Sequence, residues 1–283
     1  MAVLSVCQVE TLNSVFGVPL IHLRKSGQMR QGIPLALRHM VEFLEKHGVT
    51  ICGLFRVSGR VKSCQDLKKS FNNGEYPEFD IEDIHPVASL LKLFLRELPG
   101  GLIPEPQRHQ LLKGFLESKG DEQHQAMRAI LNTLPEEHFN LLSYLMFFLS
   151  RVAGESQQNL MTTTNLSIVF GPTIFYVPLS PTMVEEQELY NALTKHLLEN
   201  LTHLLPNIYP PVSSSNTAED EYCSYEDVVQ QVPLTGSRSK LPKIGRLGLL
   251  KKRLRSFWRL FCSCTYSNGT ESEETSEEMK GQL

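Results

Sequence analysis

The segment Gly53-Leu-Phe-Arg-Val-Ser-Gly59 places a permanent cation in what reads as a constrained loop between two predicted helices. Glycines at both ends permit backbone angles that other residues avoid. Phe55 is expected to anchor the loop in the core, beside Arg56. A guanidinium is planar, always charged and able to bridge two oxygens. Arg56 therefore has the chemistry to bind negatively charged oxygens.

Two other segments carry polar residues at suggestive spacing. Lys92 and Arg96 are four residues apart in a predicted helix, so they share one face, which we expect to lie opposite the apolar stripe. Their mutual repulsion indicates an external anionic or carbonyl-rich partner, or a buried acid. The segment 159–166 is rich in threonine and contains Asn159 and Asn165. Since these residue types are mediocre helix formers, the segment is suited to hydrogen bonding.

Several kinds of chemistry are absent from the sequence. It has no Gly-x-x-x-x-Gly-Lys-Ser/Thr loop for a nucleotide and no Gly-x-Ser-x-Gly elbow for a nucleophilic serine. The six cysteines include no Cys-x-x-Cys pair, and the nine histidines no His-Glu-x-x-His. We therefore expect no metal site, no disulfide framework and no cofactor of the chain's own. Any catalysis would depend on a partner that supplies the rest.

Helical patterning is dense from the start of the chain to about residue 210. Pro34 is expected at the first position of one helix and Ser58 to cap the next, while Pro86 opens a third, with His85 capping its entry and doing no chemistry. The stripe of the second helix is predicted to be Val61, Cys64, Leu67 and Phe71. That of the third is Val87, Leu90, Leu91, Phe94 and Leu98. Further helical patterns cover residues 105–118, 121–133, 136–152, 159–170 and 185–204. Because strand alternation is not sustained anywhere, the predicted fold class is all-α.

Three segments, Gly53–Gly59, His85–Pro99 and Asn159–Pro172, resemble the motifs of the RhoGAP domain in order and spacing. Gly32-Ile-Pro34 and Phe16-Gly-Val-Pro-Leu20 are similar to the opening of that domain. The resemblance covers residues 14–210. It implies a helical bundle of the RhoGAP type that binds a GTP-bound Rho-family small GTPase and stimulates its GTP hydrolysis. GTP and Mg²⁺ would be carried by the GTPase.

The resemblance also implies roles for single residues. Arg56 stands at the position of the arginine finger, a catalytic arginine inserted into the active site of the partner. Lys92 and Arg96 stand at paired basic positions that hold the finger loop and meet the GTPase. Asn165 stands at the interface asparagine, with Asn159 as its neighbour.

Two positions depart from the family pattern. Leu160 stands where the family often has lysine, and Gly100-Gly101 stand where an acidic residue and proline are usual. Such differences would alter affinity or GTPase preference without touching the finger. A second hypothesis therefore stays open, in which the domain binds a GTPase as a signalling adaptor and accelerates little.

The composition changes near residue 210, where charges become segregated. Residues 211–237 read as an acidic, serine-rich linker, 238–266 as a basic amphipathic segment, and 267–283 as an acidic disordered C-terminus. The middle segment has nine Lys/Arg between residues 238 and 259. Basic residues interleaved with bulky apolar ones favour a helix that lies on an anionic membrane, and the adjacent cysteines are candidates for palmitoylation. The residues concerned are Lys251, Lys252, Arg253, Arg255, Phe257, Trp258, Arg259, Phe261, Cys262 and Cys264.

The alternatives for this segment are a calmodulin-type target, a nuclear-import or nucleolar basic patch, and a disordered tail. Nucleic-acid binding is not expected, because no reading motif accompanies the basic residues. No run of apolar residues is long enough to span a bilayer, and the N-terminus has no secretory signal pattern. We therefore expect a cytoplasmic protein that associates peripherally with membranes.

Overall fold

Helices make up most of residues 14–176 and 183–205, which the computed structural model describes. In the first half they are α1 (Leu20–Lys25), α2 (Leu35–His47), α3 (Val61–Asn72), α4 (Ile84–Glu97), α5 (Gln107–Glu117) and α6 (Asp121–Leu131). In the second half they are α7 (Glu136–Gly154), α8 (Ser156–Asn159), α9 (Thr163–Ile174), α10 (Met183–Glu199) and α11 (Leu201–Leu204). The predicted all-α fold class is confirmed. The linker and tail predicted from residue 211 onward lie outside the described residues.

A two-residue hairpin precedes α2 and was missed by the sequence interpretation. Strand β1 (Met29–Arg30) pairs antiparallel with β2 (Ile33–Pro34). Gln31 and Gly32 turn the chain between the strands with positive φ angles of 53° and 75°, as a tight hairpin requires. Pro34 therefore ends a strand and precedes α2, so its predicted place inside the first helical turn is off by one residue.

The core forms where α4, α7 and α9 meet. The predicted stripe of α4 is confirmed, since Val87, Leu90, Leu91, Phe94 and Leu98 are all buried. Helix α7 is buried along most of its length, as its apolar sequence predicts. Burial of each large apolar side chain contributes about 1.5–3 kcal/mol. This core fixes the helices that carry the polar residues singled out above.

Helix α3 is less buried than its pattern predicts. Phe71 lies in the core, whereas Val61 is 45% exposed and Cys64 and Leu67 are half-buried. The predicted Ser58 cap is wrong, because the helix begins at Val61 with no side-chain cap. The helix does not begin earlier because Gly59, the residue after Ser58, is held against α4.

The pattern predicted as one helix over residues 159–170 is interrupted. Helix α8 ends at Asn159, Leu160 adopts a left-handed conformation, and α9 begins at Thr163. The Thr162 side chain accepts a hydrogen bond from the Asn165 amide and caps α9. Within residues 14–176 and 183–205, no helix combines the length and apolar character needed to cross a membrane.

Candidate functional site

The loop at residues 53–59 buries one residue and presents the next to solvent. Phe55 is fully buried, and its ring makes edge-on contacts with Phe148 of α7 and Phe170 of α9, at centroid distances of 6.0 and 4.9 Å. Arg56, directly after it, is exposed. The predicted anchoring role of Phe55 is confirmed.

Gly53 fixes the start of this loop through both of its backbone groups. Its N–H donates to the carbonyl of Asn159 at 2.7 Å, and its own carbonyl accepts from the amides of Arg56 and Val57 at 2.8 and 2.9 Å. Gly53 has a φ of 73°, and Phe55 has a φ of 67°. The left-handed φ of Phe55 costs about 1–2 kcal/mol, because Phe55 has a side chain. The contacts around Phe55 must therefore hold it in place.

Lys92 supplies one of those contacts from α4. Its ammonium group donates to the Phe55 carbonyl at 2.6 Å, and the side chain is only 4% exposed. Lys92 is buried because the loop folds over this side of α4 and covers it. Its acceptor is a carbonyl of the chain itself, whereas the sequence had suggested an external partner or a buried acid. Arg96 lies one turn further along α4 and is half-buried.

The end of the loop is pinned by a contact that sequence reasoning missed. The Gly59 N–H donates to the Ser89 hydroxyl at 2.9 Å. A Cβ at Gly59 would lie 2.4 Å from the backbone nitrogen of Pro86, so only glycine permits this approach. The two glycines of the motif were the sequence signal for such a close approach. Nothing in the sequence marks Ser89 as its partner.

Asn159 is fully buried and supports the loop from α8. Its side-chain amide donates to the carbonyls of Val49 and Val152, both at 2.7 Å, and its side-chain oxygen accepts from the Met161 amide. Its own carbonyl receives the Gly53 N–H. This is the geometry of a supporting residue rather than of a contact surface.

Asn165 is half-exposed at the start of α9. Its side-chain amide donates to the Leu160 carbonyl at 2.8 Å. Asn165 therefore braces the turn between α8 and α9 while keeping part of its surface open. The structure thus places Lys92 and Asn159 against the loop that carries Arg56, and Asn165 on the turn that follows Asn159.

His85 is the second residue of α4, and its predicted capping role is wrong. Its Nδ1 atom is buried and has no hydrogen-bond partner in the described part of the chain. Burial, and to a lesser degree the Lys92 charge, lower the pKa of His85 below its ordinary value. The ring is therefore neutral at physiological pH, and Asp83 instead shapes the helix entry by accepting from the Asp80 amide.

Gly100 and Gly101, the second departure noted in the sequence, have a backbone reason. Their φ angles are 80° and 77°, which favour glycine. A Cβ at Gly101 would lie 2.9 Å from the Cβ of Tyr176. Among the residues that the structure describes, no group of His, Cys, Asp or Glu is arranged to hold a metal ion.

Comparisons with known proteins agree with this geometry. The family model of the RhoGAP domain matches residues 34–178. Rho GTPase-activating protein 1 of Homo sapiens is 34% identical over 199 residues, which make up 70% of this chain and 45% of that protein. SLIT-ROBO Rho GTPase-activating protein 2 of Danio rerio is 32% identical over 199 residues, 68% of this chain and 18% of that protein. This chain thus spans less than half the length of these curated relatives.

The fold is also similar to solved structures. The crystal structure of human Rho GTPase activating protein 15 matches with a TM-score of 0.64 and 26% identity, covering 69% of this chain and 93% of that one. The BH domain of the GTPase regulator GRAF matches with a TM-score of 0.54 and 28% identity, covering 58% and 90% of the two chains.

Proposed function

Because the chain belongs to the RhoGAP domain family, we propose that it accelerates GTP hydrolysis by a Rho-family small GTPase through Arg56. The GTPase carries the GTP and Mg²⁺, and Arg56 enters its nucleotide site in trans. One observation carries this proposal. Arg56 is exposed directly after a fully buried phenylalanine whose carbonyl is held by the buried ammonium group of Lys92.

The chemistry suits a guanidinium. During GTP hydrolysis, negative charge spreads over the transferred phosphoryl group and the leaving oxygens, and a planar cation can bridge two of them. Arginines supplied in this way accelerate hydrolysis by about 10³–10⁵, or roughly 4–7 kcal/mol. A donor that is already fixed avoids reorganisation during the reaction. The anchors at Gly53, Phe55 and Gly59 provide that fixation for the backbone of Arg56.

The test measures phosphate release from a panel of GTP-loaded Rho-family GTPases. With the most responsive GTPase, Arg56→Ala should reduce the stimulation at least about a hundredfold while affinity falls much less, because the finger acts mainly in the transition state. Arg60→Ala is the matched control, since Arg60 is also exposed and its ion pair with Glu82 is exposed too. Equal stimulation by wild type and Arg56→Ala would refute the finger. A wild type that binds GTP-loaded GTPases without accelerating any of them would favour the adaptor hypothesis.

We further propose that residues 238–266, outside the described residues, bring the domain to an anionic membrane surface. The sequence there combines basic residues, each worth about 1 kcal/mol near an anionic leaflet, with the apolar Phe257, Trp258 and Phe261. Binding to the membrane that carries the GTPase would raise the effective concentration of the domain there. The protein would then act at the cytoplasmic side of that membrane.

A further inference from the structure

Leu160 caps the C-terminus of α8 in a left-handed conformation, with its N–H donating to the Ser156 carbonyl, and it exposes a leucine side chain at that position. It has a φ of 60°, in the left-handed region, and its side chain is 53% exposed. Glycine and asparagine take this conformation readily, whereas leucine is disfavoured there. A half-exposed leucine recovers little by burial. Unfavourable backbone conformations of this kind concentrate at functional sites.

The position of Leu160 is fixed relative to the finger loop. Leu160 directly follows Asn159, whose carbonyl accepts the Gly53 N–H at 2.7 Å, and the Gly53 carbonyl in turn accepts the Arg56 amide. The carbonyl of Leu160 itself is held by the side chain of Asn165. On the loop, Val57 is a second apolar side chain with 46% exposure. Leu160 and Val57 are therefore exposed apolar residues on the two segments that the hydrogen bond between Asn159 and Gly53 joins, and we call this pair the apolar rim.

We infer that Leu160 is a specificity-determining contact residue, which packs against an apolar side chain next to the nucleotide site of the GTPase. This rests on the proposed function. Arg56 reaches a bound nucleotide only if the surface around that nucleotide covers the finger loop, and Leu160 is joined to that loop through Asn159. Leucine itself indicates the chemistry of the partner. A GTPase with an apolar side chain opposite Leu160 gains affinity by burial, and one with a charged side chain there loses affinity.

The experiment separates backbone conformation from apolar contact. Leu160→Asn suits the left-handed backbone but removes the apolar surface, so we expect a melting temperature at or above that of wild type. Its affinity for the preferred GTPase, loaded with a non-hydrolysable GTP analogue, should fall about three- to tenfold. Stimulation at saturating domain should stay as in wild type. Leu160→Met keeps both the apolar character and the conformation and should match wild type.

Leu116→Asn on α5 is the matched control, because Leu116 has nearly the same exposure, 52%. It should leave GTPase affinity unchanged. Across the panel, Leu160→Asn should lower affinity most for the GTPase that wild type prefers. The affinities for different GTPases should therefore become more alike. Leu160→Gly, which also suits the backbone, repeats the measurement if the asparagine variant is poorly folded.

Each outcome is decisive. If wild type stimulates a GTPase and both Leu160→Asn and Leu160→Gly bind it as tightly as wild type, the inference is overturned and the proposed function stands. An equal loss with Leu116→Asn would also overturn it, because the effect would then not be local to the rim. A wild type that neither binds nor stimulates any Rho-family GTPase would overturn the proposed function and this inference with it.

Discussion

Replacing Lys92 with methionine tests how the finger loop is held. Methionine has nearly the shape of lysine without its charge, so Lys92→Met fills the same buried space and removes the charged donor. That donor makes the 2.6 Å hydrogen bond to the Phe55 carbonyl. The side chain is 4% exposed, so water cannot readily take the place of the lost donor.

The size of the effect follows from two opposing terms. A hydrogen bond from a charged group contributes about 1.5–3 kcal/mol, and the left-handed φ of Phe55 costs about 1–2 kcal/mol. Without the ammonium group, the loop conformation rests on the buried ring of Phe55 and the contacts at Gly53 and Gly59. We expect its population, and with it the stimulation of hydrolysis, to fall about tenfold. Overall stability should change little, because burying the Lys92 charge is itself costly.

The measurement is single-turnover GTP hydrolysis at saturating domain, with hydrogen exchange of residues 53–59 in the free domain. Lys62→Met, which removes an exposed lysine on α3, is the control and should match wild type. GTPase affinity should fall less than the rate, since Lys92 is covered. If Lys92→Met stimulates hydrolysis as strongly as wild type does, and hydrogen exchange in the loop is unchanged, the contact with the Phe55 carbonyl does not position Arg56.

Three further predictions concern other parts of the chain. Asn165→Ala removes the hydrogen bond to the Leu160 carbonyl, worth about 1 kcal/mol, and should weaken GTPase binding about fivefold with the fold intact; titrations that match wild type would contradict this. Burial, with a contribution from the charge of His124, lowers the pKa of His196 to about 4. As the pH drops, the unfolded chain therefore binds a proton at His196 before the folded chain does. The free energy of unfolding should fall by about 1–2 kcal/mol between pH of about 6.5 and about 4, after allowance for solvent screening. Thermal melts across this range should be flatter for His196→Gln, and parallel curves would refute the assignment. Residues 238–266 should bind anionic vesicles, release them in salt or when Phe257, Trp258 and Phe261 become alanine, and draw a fluorescent fusion to a membrane; a fusion confined to the nucleus, with no vesicle binding at low salt, would favour the import patch.

The helices could be predicted because their apolar residues repeat with the helical period. In α4, Val87, Leu90, Leu91 and Phe94 all face the core as their spacing requires, and Leu98, directly after the helix, is also buried. Phe55 was also predictable, because a large aromatic side chain beside a charged one in a short loop has a strong reason to be buried. These features depend on neighbours in sequence, which a pattern can read.

The features that could not be predicted depend on residues far apart in sequence. The spacing of Lys92 places it opposite the apolar stripe, and its burial depends on the loop that folds over α4. Ser89 becomes important because Gly59 approaches it, and a helical serine has no sequence signal for that contact. The hairpin at residues 29–34 has two residues in each strand, too few for strand alternation to be visible.

Under the proposed function, the residues that hold the Arg56 loop are separate from those that would meet the GTPase. Asn159, Lys92 and Ser89 act on the backbone of the loop from within the domain, whereas Arg56 and Leu160 present side chains outward. Changes to the first group lower the population of the loop conformation that positions Arg56, so they should reduce the maximal rate more than the affinity. Changes to Leu160 alter the surface buried in the complex, so they should reduce affinity at constant maximal rate. Under the proposed function Arg56 differs from both groups, because its interaction with the phosphoryl group would strengthen only as the transition state forms. A family member with an intact finger can therefore still be a weak activator when its supporting residues fail, and a selective one when its rim changes.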